Sequence, residues 1–102
     1  MISELFSMLD AASEMSENYE LRKVDFTEIN EKISVSTVYT PDMGYETAVL
    51  LDGHAHPVER YGECRSASVI GHNKWVKQIP GMTEINNLGY GEIVSGSVIS
   101  LV

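Results

Sequence analysis

ISVSTVYTPDMGYETAVLLDGHAHPVERY, residues 33–61, decides the fold of this chain. In its first part, Ile33, Val35, Thr37 and Tyr39 fall on one side of an extended backbone; Ser34, Ser36 and Val38 fall on the other. That period of two marks a strand over residues 33–40. Pro41-Asp42-Met43-Gly44 reads as a turn, since proline presets φ and glycine is free to take a positive φ. YETAVLL, residues 45–51, is rich in aromatic and β-branched side chains and reads as a second strand. Asp52-Gly53 is a strong hairpin signal. A third strand enters through His54, is interrupted at Pro57 and resumes as VERY. Proline donates nothing to a ladder, so this strand is expected at a sheet edge or beside a bulge.

Upstream, YELRKVDFTEI (residues 19–29) alternates with a change of phase: Tyr19 and Leu21 share one parity, Val24 and Phe26 the other. The change predicts a bulge near Arg22-Lys23. Residues 2–17 read as an amphipathic helix, with Ile2, Leu5, Phe6, Leu9, Ala12 and Met15 at three- and four-residue steps. Downstream, residues 65–79 read as a second helix with a stripe of Val69, His72, Val76 and Ile79, joined by Trp75. Ser66 is its expected N-cap, and Pro80-Gly81 ends it. Gly71 inside this helix costs roughly 1 kcal/mol relative to alanine, which close packing against another backbone would offset. His72 is then expected to be half-buried and hydrogen-bonded to the sheet.

The last segment, EIVSGSVISLV (residues 92–102), reads as a further strand. If its edge is free it is adhesive, because no lysine guards it. It is expected to pair within its own sheet or with another subunit. The whole is read as one α+β domain over residues 1–102: helix about 2–17, β-meander about 19–61, helix about 65–79, C-terminal strand about 92–102. The expected architecture is an antiparallel sheet of four to five strands with two helices packed on it.

Charge narrows the function. The 102 residues carry a formal charge of −8. Residues 1–31 hold eight acids against Arg22 and Lys23, and no positive charge follows Lys77. Such a chain repels phosphate backbones, so direct nucleic-acid binding is not expected. Its acidic face can instead solvate a helix or occupy a basic groove on another protein. No apolar run approaches the roughly 20 residues of a membrane span. The start, MISELFSMLDAASEM, lacks the basic region of a signal peptide. Together these predict a cytoplasmic protein. Its one cysteine, Cys64, excludes an intrachain disulfide and reads as a quiet structural thiol.

His54, His56, Cys64 and His72 are the soft-ligand candidates. Their spacing matches no common zinc pattern. An H-x-H pair on a strand places both rings on one face, about 7 Å apart, and Asp52 or Glu59 could complete a site. The plainer reading is exposed hairpin histidines. Glu46 and Arg60 are expected to pair across strands, worth well under about 1 kcal/mol if exposed. No nucleophile, phosphate loop or cofactor fingerprint accompanies the carboxylates. No catalytic, cofactor-binding or metal residue is therefore assigned, and no cofactor is expected.

Two blocks carry a resemblance: VSTVYTPDMGYETAV (residues 35–49), and ERY with ASVIGHNKWV (residues 59–61 and 67–76). Together they resemble a group of small phage and prophage proteins with an S-T-V strand, an E-T-x-V strand, an R-Y and an A-x-x-G-H helix. The matching positions are Glu46, Thr47, Arg60, Tyr61, Gly71 and His72. The resemblance covers about half the chain; AVLL after the E-T pair, the HAHP stretch and the C-terminal tail depart from it. It implies a viral origin and a β-meander-plus-helix core, with no assigned activity.

The expected function is non-enzymatic protein–protein interaction in a phage-encoded context. In one version the protein is an adaptor or inhibitor of a host protein, contacting it through Glu4, Asp10, Glu14 and Glu17, with Glu46, Arg60, Tyr61 and His72 as further contact candidates. In a second it is a virion or assembly component, a homo-oligomer joined through its C-terminal strand. A third version, from another class, is a metal-dependent enzyme using the histidines.

Overall fold

A computed structural model of the protein describes residues 22–89 and 97–102. Four strands form one antiparallel meander in chain order: β1 (Lys23–Glu28), β2 (Ile33–Thr40), β3 (Gly44–Leu51) and β4 (His54–Gly62). Helix α1 (Arg65–Gln78) lies across all four, followed by a 3₁₀ turn at Ile79–Gly81. Two short strands, β5 (Glu84–Asn87) and β6 (Ser97–Ser100), pair antiparallel in a second sheet. The predicted helix over 2–17, with Glu4, Asp10, Glu14 and Glu17, lies outside the described residues, as do residues 92–96 of the predicted C-terminal strand.

The meander follows its turn chemistry. Asp52 and Gly53 both take positive φ, 52° and 85°, as a two-residue hairpin turn requires. Around the turn after Thr40, Thr40 faces Gly44, so Thr37 faces Thr47 and Val35 faces Val49. The predicted irregularity in β1 falls between Lys23 and Asp25. β4 is an edge strand. Its register slips opposite Thr47 and Ala48, whose partners are Glu59 and Pro57, leaving Val58 as the extra residue. Such a bulge turns neighbouring side chains toward one face. Val58 enters the core, and Glu59 reaches Trp75 on the helix.

The expected α+β class and antiparallel sheet hold, with four strands in the meander, and the placement of the C-terminal strand is corrected. Among the described residues one helix packs on the meander, and the C-terminal strand pairs with Glu84–Asn87 instead of extending the meander. The physical reason lies at the β4 edge, where Pro57 has no N–H and a bulge breaks the ladder. Only its carbonyl is used, accepting the Leu88 N–H at 2.8 Å. The strand at 84–87 was not legible because EINN is poor in strand formers. It forms because Ile85, paired with Ile99, fills the core.

The buried line of α1 also differs from the predicted stripe. Ser68, Gly71 and His72 are buried, while Val69 is 41% exposed. The helix therefore contacts the sheet through small and polar residues in its first half. Its second half brings Trp75 and Val76, and the 3₁₀ turn brings Ile79, to the core of Ile33, Val35, Val49, Val58 and Ile85. The N-cap is Cys64, not Ser66, and no side chain caps the end.

Candidate functional site

The helix-facing side of the meander carries a line of polar groups. Thr37 and Thr47, opposite each other on β2 and β3, are fully buried with Oγ1 atoms 2.5 Å apart. Thr37 Oγ1 lies 2.7 Å from His72 Nδ1, and Thr27 Oγ1 lies 2.9 Å from His72 Nε2. At the other end, Thr47 Oγ1 is 2.9 Å from the Tyr61 hydroxyl, which lies 3.3 Å from Glu59 Oε1. Glu59 Oε1 also accepts from Trp75 Nε1 at 2.8 Å and Lys74 Nζ at 2.7 Å. Six side chains, Thr27, His72, Thr37, Thr47, Tyr61 and Glu59, thus run continuously from β1 through the helix–sheet interface, and Trp75 and Lys74 join at the Glu59 end. Among the described residues no buried side-chain nitrogen or oxygen lacks a partner.

His72 is 1% exposed, deeper than expected, and Gly71 explains how. A Cβ on Gly71 would overlap the Tyr61 ring, with Cε1 only 2.5 Å away. The glycine admits an aromatic side chain rather than a neighbouring backbone. Burial raises the Glu59 carboxyl, but hydrogen bonds from Lys74 and Trp75, the Lys74 charge and the Tyr61 hydroxyl outweigh it and hold the pKa below the usual carboxylate value. Burial, followed by the charge of Glu59, pushes the Tyr61 phenol up to about 12. Burial lowers His72, opposed by the nearby Asp25 carboxylate.

Glu46 and Arg60 pair as expected, Oε2 to Nε at 2.8 Å, on the face of the sheet away from the helix. Arg60 Nη2 also donates to the Gly89 carbonyl at 2.5 Å. The pair is more enclosed than expected, with side chains 13% and 25% exposed. A Glu46→Gln, Arg60→Gln double-mutant cycle is expected to give a coupling of about 1–2 kcal/mol, above that of an exposed pair.

Four of the eight predicted contact residues can be placed, and they do not form one surface. Tyr61 and His72 share the buried line, while Glu46 and Arg60 bind each other on the opposite face. Cys64 is exposed; its hydrogen bond with Ser66, then the Ala67 backbone, lower its pKa. Thr37, Thr47 and Trp75 were missed as network members, although two threonines equidistant from one turn are a readable signal.

The histidine turn is built differently. His54 is exposed, and His56 Nδ1 lies 2.9 Å from Asn87 Nδ2. The Asn87 oxygen accepts from the Gly89 N–H at 2.7 Å, so its NH₂ must be the group facing His56. Nδ1 of His56 is then an acceptor, and neutral His56 carries its proton on Nε2. A metal on Nε2 needs that proton on Nδ1 instead, donated to a second partner. Among the described residues no three His, Cys, Asp or Glu side chains come together. Burial, then the neighbouring His54, lowers the His56 pKa.

The third feature is the outer edge of β6. Leu101 N–H bonds the Thr83 carbonyl at 2.8 Å, so residues of that parity face β5. In an antiparallel ladder the alternate residues, Val98 and Ser100, then direct their backbone groups away from it. Val98 is 60% exposed, and SVIS carries no charge. No protein-family model, curated protein or solved structure matches the chain. Among the described residues no helix is long and apolar enough to cross a membrane.

Proposed function

We propose that the chain is a phage-encoded, non-enzymatic protein-binding module, an adaptor or inhibitor of a host protein. In this reading it takes an extended segment of its partner onto the outer edge of β6. The observation that carries the reading is an uncharged strand with an outward-facing edge and no lysine or proline to guard it. Strand addition supplies backbone hydrogen bonds, and alternate side chains supply selectivity. The net charge of −8 favours a partner segment flanked by Lys or Arg over a second copy, since like charges repel. The phage context rests on the resemblance alone.

The test is selection from a library of extended peptides on the immobilised protein. Alternating apolar peptides with basic flanks are expected, binding more weakly as salt rises. Val98→Lys and Ser100→Pro are each expected to weaken binding at least about tenfold, because one adds a charge to the edge and the other removes a donor. Unchanged binding in both variants rules out the β6 edge. Light scattering separates the self-assembly reading: a dimer that Val98→Lys dissolves would replace the host partner by a second copy.

A further inference from the structure

The polar line beneath α1 has one fixed end, and that end sets the direction of every proton along it. An ionised Glu59 only accepts, and the Trp75 indole only donates. Tyr61 must therefore donate to Glu59, so its oxygen accepts from Thr47. Thr47 has one proton, now spent, and accepts from Thr37. Thr37 has likewise spent its proton and accepts from His72 Nδ1–H. A neutral imidazole carries one N–H, so Nε2 is a bare lone pair to which Thr27 donates.

We propose that this one-way chain makes His72 an acid-operated latch between α1 and the edge strand β1. With its proton on Nδ1, His72 accepts from the Thr27 hydroxyl at Nε2. A second proton, on Nε2, can still be accepted by that hydroxyl once it rotates, but it places a charge on a side chain only 1% exposed, and lifting β1 admits the water that solvates it. Among the described residues the charged groups around the ring are few. Asp25 on β1 is 3.8 Å from Nε2, too far for a hydrogen bond, and its side chain is 55% exposed. β2 and β3 present the Thr37 and Thr47 hydroxyls. β4 presents Tyr61 and Glu59, and Lys74 of α1 is tied to Glu59. An imidazolium here is buried against one screened carboxylate, so burial outweighs the attraction. Release falls on β1 because it is an edge strand whose register is already broken at Val24.

The sign follows from a folded-state pKa below the ordinary imidazole value. The latch contributes fully above about pH 6.5 and is lost as pH falls below it toward the folded-state pKa. One proton taken up on release makes the loss about tenfold per pH unit. Imidazole ¹⁵N spectra of the intact protein at about pH 7.5 are expected to show Nδ1 protonated and Nε2 bare. Amide protection in β1, corrected for intrinsic exchange, is expected to fall about tenfold per unit below about pH 6.5, with β2 and β3 still protected. His72→Gln is expected to flatten that dependence. Asp25→Asn, at an exposed position, is expected to keep the fold and move the His72 titration to lower pH. A proton on Nε2 at neutral pH overturns the directional chain. β1 protection that holds constant down to about pH 5 overturns the latch.

Discussion

Gly71→Ala is expected to destabilise the protein by about 1–3 kcal/mol in urea unfolding, although the same change in an ordinary helix interior stabilises by roughly 1 kcal/mol. The reversal comes from the Tyr61 ring, which occupies the space of the missing Cβ. Inserting a methyl there displaces the ring from Thr47 and Glu59, so the cost joins overpacking to loss of two hydrogen bonds. Asn73→Ala, on the exposed side of the same helix, is expected to be neutral or slightly stabilising and controls for helix propensity. Tyr61→Phe in the Gly71→Ala background is expected to recover part of the loss, since the hydroxyl is among the overlapping atoms. A Gly71→Ala protein more stable than the parent contradicts this packing.

Thr37→Val is expected to cost more, about 2–4 kcal/mol, from one unsatisfied buried group and a second lost hydrogen bond. Valine matches threonine in shape, so no cavity forms. What disappears is the oxygen between His72 Nδ1 and Thr47, both on residues at most 1% exposed. His72 Nδ1 is left without a partner and Thr47 with its Tyr61 bond alone, where water cannot replace the loss. A loss below about 0.5 kcal/mol would show that the hydroxyl line contributes little.

The meander was legible because its turns are punctuated and its alternation holds: residues 33–40 form β2 as expected, and Pro57 lies at an edge beside a bulge. The Glu46–Arg60 pair followed from the same register. The helix was legible in extent but not in its buried side. Apolar periodicity favoured Val69, whereas the sheet beneath that turn presents threonines and receives Ser68, Gly71 and His72. Hydrophobic patterning does not reveal an interface built from hydroxyls. The β5–β6 pair was missed because Ile85 acts through one core contact in a segment of weak strand formers. The link between His72 and Glu59 needs four elements at once, α1, β2, β3 and β4, and no single stretch of sequence displays it.

The central claim is that the side chains from His72 to Glu59 form one energetic unit clamping the helix to the sheet. A double-mutant cycle between Thr37→Val and Glu59→Gln tests it most directly, because the two residues are joined through Thr47 and Tyr61. A coupling of about 0.5–1.5 kcal/mol is predicted, since neutralising Glu59 removes what orients the hydroxyls. Costs that add within about 0.3 kcal/mol would mean that the bonds act separately, and would contradict the clamp.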